Sequence, residues 1–176
     1  MSLFSKALLA TTILSTFAFT AQAADSGSGT VTFTGSIIDA PCSITPESSD
    51  QTVDLGQISS ASLVNKGTST PRNFSIELEK CDITTMKNVA ITFTGSTDNT
   101  DPALLGITGT AKGAGVVITD GSGSTIKLGQ ASAAHTLGAD NNTLIYSAYL
   151  QGNSATVGSV VPGEFTSVAN FTLAYN

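Results

Sequence analysis

Alternation of apolar and polar residues with a period of two constrains this chain more than any other feature of its sequence. A helix would need apolar residues every three or four positions, and such spacing is nearly absent after the first two dozen residues. The alternation predicts strands over 30–38, 51–55, 73–78, 89–94, 116–119, 125–128, 144–150 and 165–175. Clusters of Gly, Ser, Asn and Asp separate several of them, at 95–101, 120–124, 139–142 and 152–154. A short helical turn over 59–65 is the one expected exception. Seventeen glycines, abundant Ser and Thr and no Trp suit a chain of short strands and tight turns. At 176 residues there is room for one such domain, so the expected class is an all-β sandwich or barrel.

The first residues read differently. Lys6 precedes an apolar run from Ala7 to Phe19, and Ala21-Gln22-Ala23 has the small-x-small form of a cleavage site. The run is shorter than the ~20 apolar residues that span a bilayer. Residues 1–23 are therefore read as a signal peptide rather than an uncleaved anchor. Export places Cys42 and Cys81, the only two cysteines, in an oxidising compartment, where a disulfide between them is the default. It would close a loop of about 40 residues, for which the chain-entropy model gives roughly 4 kcal/mol. A metal site is the weaker reading, since one histidine, His135, and scattered carboxylates offer no ligand spacing.

Charge excludes another class of partner. The formal net charge is −6, and loss of Lys6 with the signal peptide makes it one unit more negative. A nucleic-acid binder needs a basic face to displace counterions from phosphates, and this chain has none in prospect.

The two ends of the remaining chain carry complementary patterns. Residues 24–29 are small and polar. In Thr30-Val31-Thr32-Phe33-Thr34-Gly35-Ser36-Ile37, one face holds Val31, Phe33, Gly35 and Ile37 and the other holds Thr and Ser. This strand precedes Cys42 and so lies outside the disulfide loop. It could be an ordinary first strand of the domain's own core or a strand given to another chain, and the pattern alone does not choose. At the other end Phe165, Ser167, Ala169, Phe171, Leu173 and Tyr175 share a face, and only Asn176 follows. The outer edge of that strand is expected to be free, and a free apolar edge invites pairing.

These residues resemble the subunits of chaperone–usher fimbriae, in particular the major pilins of the type 1, P and mannose-resistant Proteus-like groups. The resemblance covers residues 29–38, Ala40-Pro41-Cys42, residues 51–57, Phe74 through Cys81, and Gly163 through Tyr175. A penultimate aromatic, here Tyr175, and a glycine fourteenth from the C-terminus, here Gly163, stand where that family has them. The resemblance implies an incomplete immunoglobulin-like β-sandwich lacking its last strand and completed by a donated one. Residues 24–38 would be the donor-strand extension and 39–176 the pilin domain, with Gly163, Phe165, Phe171, Leu173 and Tyr175 forming the acceptor groove and chaperone edge. A periplasmic chaperone would fill the groove first. At an outer-membrane usher, the extension of another identical or related subunit would replace it, building an extracellular fimbrium used in adhesion. Donor-strand complementation of pilins is itself a standing example of β-strand addition, so this mechanism comes with the resemblance and not from the residues.

Other functions find less support. An enzyme needs a constellation of groups, and no G-x-S-x-G elbow or His-centred cluster is visible. Glu77 and Glu79 alternate with Ile76 and Leu78 and read as a strand's solvent face. Asp120-Gly121-Ser122-Gly123-Ser124 lacks a suitably spaced Glu for a calcium loop and reads as a hairpin turn. No cofactor is implied. Within fimbriae, a minor adaptor or an adhesive subunit is the alternative, although a tip adhesin would carry a second domain and no donor extension.

Overall fold

Strands form where inward-facing apolar residues find a second layer to bury against, and four long strands do so here. The computed structural model describes residues 27–154, 156 and 159–176, so the signal-peptide reading of 1–23 lies outside the described residues. The chain divides into two units, one reaching Ile37 and the other spanning Ile38–Asn176.

In the second unit the elements run β1 (Ser43–Ile44), a short helix (Pro46–Ser49), a 3-10 turn (Ser60–Lys66), β2 (Arg72–Cys81), β3 (Asn88–Gly95), β4 (Leu105–Gly106) and β5 (Thr108–Gly109). Then follow β6 (Ala114–Asp120), β7 (His135–Thr136), β8 (Asp140–Gly152), β9 (Phe165–Thr166) and β10 (Ala169–Tyr175). Every pairing is antiparallel. One sheet has the order β1-β2-β8-β6-β4, the other β10-β3-β7, and β5 pairs with β9.

Alternation explains the layers. Ile76 and Leu78 of β2 are buried between exposed or half-buried neighbours, as are Leu144, Tyr146, Ala148 and Leu150 of β8. Ile76, Leu78, Leu144 and Tyr146 meet Val89, Ile91 and Phe93 of β3 from the opposite sheet, while Ala148 and Leu150 pack in a second cluster with Leu105 and Val116. β6 differs: Ala114 through Thr119 are all buried, as expected of a central strand written as a continuous apolar run. The Cys42–Cys81 disulfide ties the chain just before β1 to the end of β2. β2 is bulged between Leu78 and Cys81, with Lys80 at φ +54°.

Four sequence expectations need correction. Residues 51–55 form no ladder, because they run along the rim of an open groove where no neighbouring strand is available. Residues 125–128 form no ladder: Thr125 makes an isolated bridge with Thr119, the Ile126 N–H donates to the Ile118 carbonyl, and the Lys127 carbonyl accepts the Gln130 N–H. Residues 165–175 are two strands, since Ser167 turns its hydroxyl to the Gly106 carbonyl and the chain passes from β5 to β3. No ladder includes residues 30–38, and a strand without a partner edge leaves its backbone groups to water.

The centre of the core is aromatic. Tyr146 is fully buried, with ring centroids 5.4 Å from Phe93 and 5.7 Å from Phe74. Among the described residues its hydroxyl is the one buried side-chain polar atom with no hydrogen-bond partner. Burial, with a smaller contribution from the Asp120 carboxylate, pushes the phenol up to about 12. An unsatisfied buried hydroxyl costs about 1–3 kcal/mol, so Tyr146→Phe should leave stability unchanged or raise it by about 1 kcal/mol. The unfolded phenol ionises near 10 and the folded one near 12, so this group's contribution is intact below pH 10 and is lost as pH rises towards 12. Denaturant titrations at neutral and alkaline pH check both statements. A clear loss of stability in the variant at pH 7 would contradict the first.

Candidate functional site: an apolar groove beside an unpaired strand edge

Inward-facing side chains of a closed sandwich are buried, but those of β10 are not. Ala169, Phe171, Leu173 and Tyr175 are only half-buried, while Asn170, Thr172 and Ala174 are exposed. β10 is the outermost strand of its sheet and pairs only with β3, so its other edge presents free backbone groups. Beside it lies a groove of about 1070 Å³. Phe74, Ile76, Phe93, Val116, Ile118 and Leu150 form much of its floor. Residues 50–58 border one side and 160–171 the other.

The rims are irregular yet anchored. Gln51 donates its side-chain amide to the Ser75 carbonyl at 3.1 Å, and the Gly56 N–H reaches the Asp54 carboxylate at 2.8 Å. On the far rim, Thr110 and Ala111 both donate N–H to the Glu164 carbonyl, at 3.0 and 3.1 Å, and Glu164 N–H returns to the Thr110 hydroxyl at 3.0 Å. This clasp requires Gly163. A Cβ there would meet Thr110 Oγ1 and stand 2.6 Å from the Ala111 nitrogen.

The residues singled out in the sequence are distributed as follows. Cys42 and Cys81 are bonded to each other. Gly163, Phe165 and Phe171 line the groove. Leu173 and Tyr175 are not among its lining but pack against the core cluster that holds Val89 and Tyr146, and burial raises the Tyr175 phenol. In the other unit Val31, Phe33 and Ile37 are 73%, 89% and 104% exposed, and nothing lies within 4 Å of a Cβ built on Gly35. Sequence reading missed Leu63, Leu105 and Val160, groove-lining residues in or beside elements too short or irregular to show a period.

Elsewhere, Asp120 Oδ1 accepts the Ser122 and Ser124 N–H groups and the Ser122 hydroxyl, a self-contained turn whose bonds hold the carboxyl below its usual range. His135 sits in β7 with its ring edge-on to Tyr146 at 6.4 Å. The site's chemistry is accordingly that of an apolar slot with one open hydrogen-bonding edge, suited to an extended peptide.

Comparison with known proteins identifies the group. The family model described as "Fimbrial protein" matches residues 31–176. The chain belongs to the fimbrial protein family. Fimbria A protein of Serratia marcescens is 56% identical over 97% of this chain and 98% of its own length. The major MR/P fimbria protein of Proteus mirabilis is 54% identical over 92% of each. Among solved structures, the P pilus rod subunit PapA is 35% identical with a TM-score of 0.69, covering 78% of this chain and 100% of that one. A subunit from a chaperone–usher pilus, studied for rod uncoiling, is 36% identical with a TM-score of 0.76, covering 89% of this chain and 100% of that one. The fold is thus the incomplete immunoglobulin-like sandwich of pilins, and these relatives are structural proteins, not enzymes.

At an unconstrained site Gly→Ala stabilises by about 0.4–1 kcal/mol through the unfolded chain. At Gly163 the clash should reverse the sign, and Gly163→Ala should cost about 1–3 kcal/mol as the Glu164 clasp is forced apart. Urea denaturation of both proteins measures it, and a stabilised variant would refute the clasp argument.

Proposed function

We propose that this fimbrial protein is the main structural subunit of a chaperone–usher fimbria and that it polymerises by donating residues 24–38 to the groove of another subunit. The observation that carries the reading is the pairing of opposites within one sequence. The groove has an apolar floor and an unpaired edge at β10, and the N-terminal segment bears exposed Val31, Phe33 and Ile37 in period-two register. An added strand bonds to the free edge through its backbone and buries alternate side chains, which satisfies both at once. Burying Val31, Phe33 and Ile37 at ~1.5–3 kcal/mol each gives roughly 4.5–9 kcal/mol, an upper figure before ordering costs. Gly35 has no side chain, so the donated backbone could approach the groove floor closely there.

Names among the relatives support the role. The Serratia and Proteus proteins are called fimbria proteins, the second a major one, and PapA is a rod subunit. They bring polymerisation between subunits and an extracellular fimbrium to this chain. The finer steps follow from the same reading: a signal peptide over 1–23 exports the chain, a periplasmic chaperone covers the β10 edge, and an outer-membrane usher is where strand exchange takes place. An open groove exposes its apolar floor to water, a liability that an earlier occupant such as the chaperone would remove.

Phe33→Asp places a charge in the donated face and should abolish fibre assembly while the subunit still forms its chaperone complex, as seen by electron microscopy and co-purification. Normal fibres from that variant would sink the donor-strand assignment. Independently, a copy of residues 27–38 fused after Asn176 through a flexible linker should raise the denaturation midpoint markedly, and an unchanged midpoint would refute the open-groove reading.

A further inference from the structure

Asp120-Gly121 is the only place in the chain where an Asp or Asn is followed by glycine. Such a pair is chemically labile wherever it is free to move. The glycine main-chain nitrogen attacks the aspartate Cγ, and glycine has no Cβ to hinder the approach. A C–N bond forms, the carboxyl C–O bond breaks and water leaves, giving a cyclic succinimide. Water then adds at Cγ to restore aspartate, or at the main-chain carbonyl to give isoaspartate. In isoaspartate the main chain runs through the side-chain carbons, and the overall composition is unchanged.

Here the pair ends β6 and opens an exposed turn that closes on the Thr119–Thr125 bridge. The turn holds the reacting carboxylate. Asp120 Oδ1 accepts the Ser122 and Ser124 N–H groups at 2.9 Å each and the Ser122 hydroxyl at 2.7 Å. The main chain of Asp120 is fixed as well: its N–H donates to the Ser124 carbonyl at 3.0 Å, and its carbonyl accepts the Gly123 N–H at 2.9 Å. Gly123, at φ +84°, gives the left-handed step that brings the chain back. To cyclise, the carboxyl must leave these three donors and turn towards the Gly121 nitrogen. It must also be protonated so that an oxygen departs as water, and the same bonds disfavour the protonated form.

The position magnifies the effect of the reaction. Asp120 lies opposite Tyr146 in the β6–β8 ladder, and Tyr146 is fully buried at the centre of the aromatic core. A main chain lengthened at Asp120 would shift the end of β6 against β8 beside that core.

We propose that Asp120-Gly121 is the chain's site of isoaspartate formation and that the clamp made by Ser122 and Ser124 keeps it unmodified in the folded protein. The Ser122 hydroxyl is the side-chain arm of the clamp, and it can be removed while the main-chain bonds of the turn stay. The inference does not depend on the donor-strand reading.

The test ages the purified protein at one pH and temperature, folded or held unfolded in guanidinium, and measures isoaspartate at each residue by peptide mapping with enzymatic methyl transfer. Isoaspartate should appear at Asp120 more than about tenfold faster in the unfolded protein, where all three bonds to the carboxylate are lost together. Folded Ser122→Ala should form it about two- to five-fold faster than the unaltered folded protein, the effect of losing one exposed hydrogen bond. Ser122→Thr, which keeps the hydroxyl, should return to the original rate. Gly121→Ala should suppress the signal in the unfolded protein, since its Cβ hinders the attack. Equal rates at Asp120 in folded and unfolded protein would overturn the clamp, as would equal rates for folded Ser122→Ala and the unaltered protein. Isoaspartate arising mainly at another residue of the unfolded chain would overturn the assignment of the site.

Discussion

The free edge of β10 is the constraint on which the rest of the structure turns. A buried backbone N–H or carbonyl without a partner is costly, so a strand edge that borders an apolar floor must be solvated or paired. Here it remains open, and the inward residues Phe171, Leu173 and Tyr175 stay half-buried because one neighbour is missing. The aromatic stack of Phe74, Phe93 and Tyr146 secures the sandwich beneath the groove, where both sheets contribute. The disulfide secures it at the start, since Cys42 fixes the entry to β1 against the end of β2. Residues before Cys42 fall outside the loop it closes, which leaves the apolar face of Val31, Phe33 and Ile37 free of that tether.

How much of this was legible in the sequence depends on where each strand's partner lies. The stretches 73–78, 89–94, 116–119 and 144–150 fall inside β2, β3, β6 and β8, because their alternation is answered by strands of the same domain. The stretches 30–38 and 51–55 alternate as well, yet no strand of the domain pairs with either. A period of two reports a face and says nothing about a partner. It is also silent on which sheet a strand joins, so the unbroken pattern of 165–175 concealed the step from β5 to β3 at Ser167.

The site was legible in part for the same reason. Phe165 and Phe171 stand out on an alternating face, and Gly163 through the family resemblance, although its packing role against Thr110 and Ala111 has no sequence signal. Leu63 was read only as part of a helical turn. Its burial and the bond between Lys66 and Asp101 both depend on contacts across 35 residues or more of chain. Local pattern carries no information at that range.

Under the proposed function one chain carries both a donor segment and an acceptor groove, and that has a geometric consequence. Exposed Phe33 with its neighbours is a liability alone, and an uncovered groove is another. A two-fold dimer would match one patch with itself, whereas these two surfaces differ, one an exposed apolar segment and the other an open groove. Contact between unlike patches on identical chains is head-to-tail, and unless the rotation closes a ring it repeats without limit. Under the proposed function each added subunit therefore fills one groove and presents another, so the filament's growing end always keeps one reactive site.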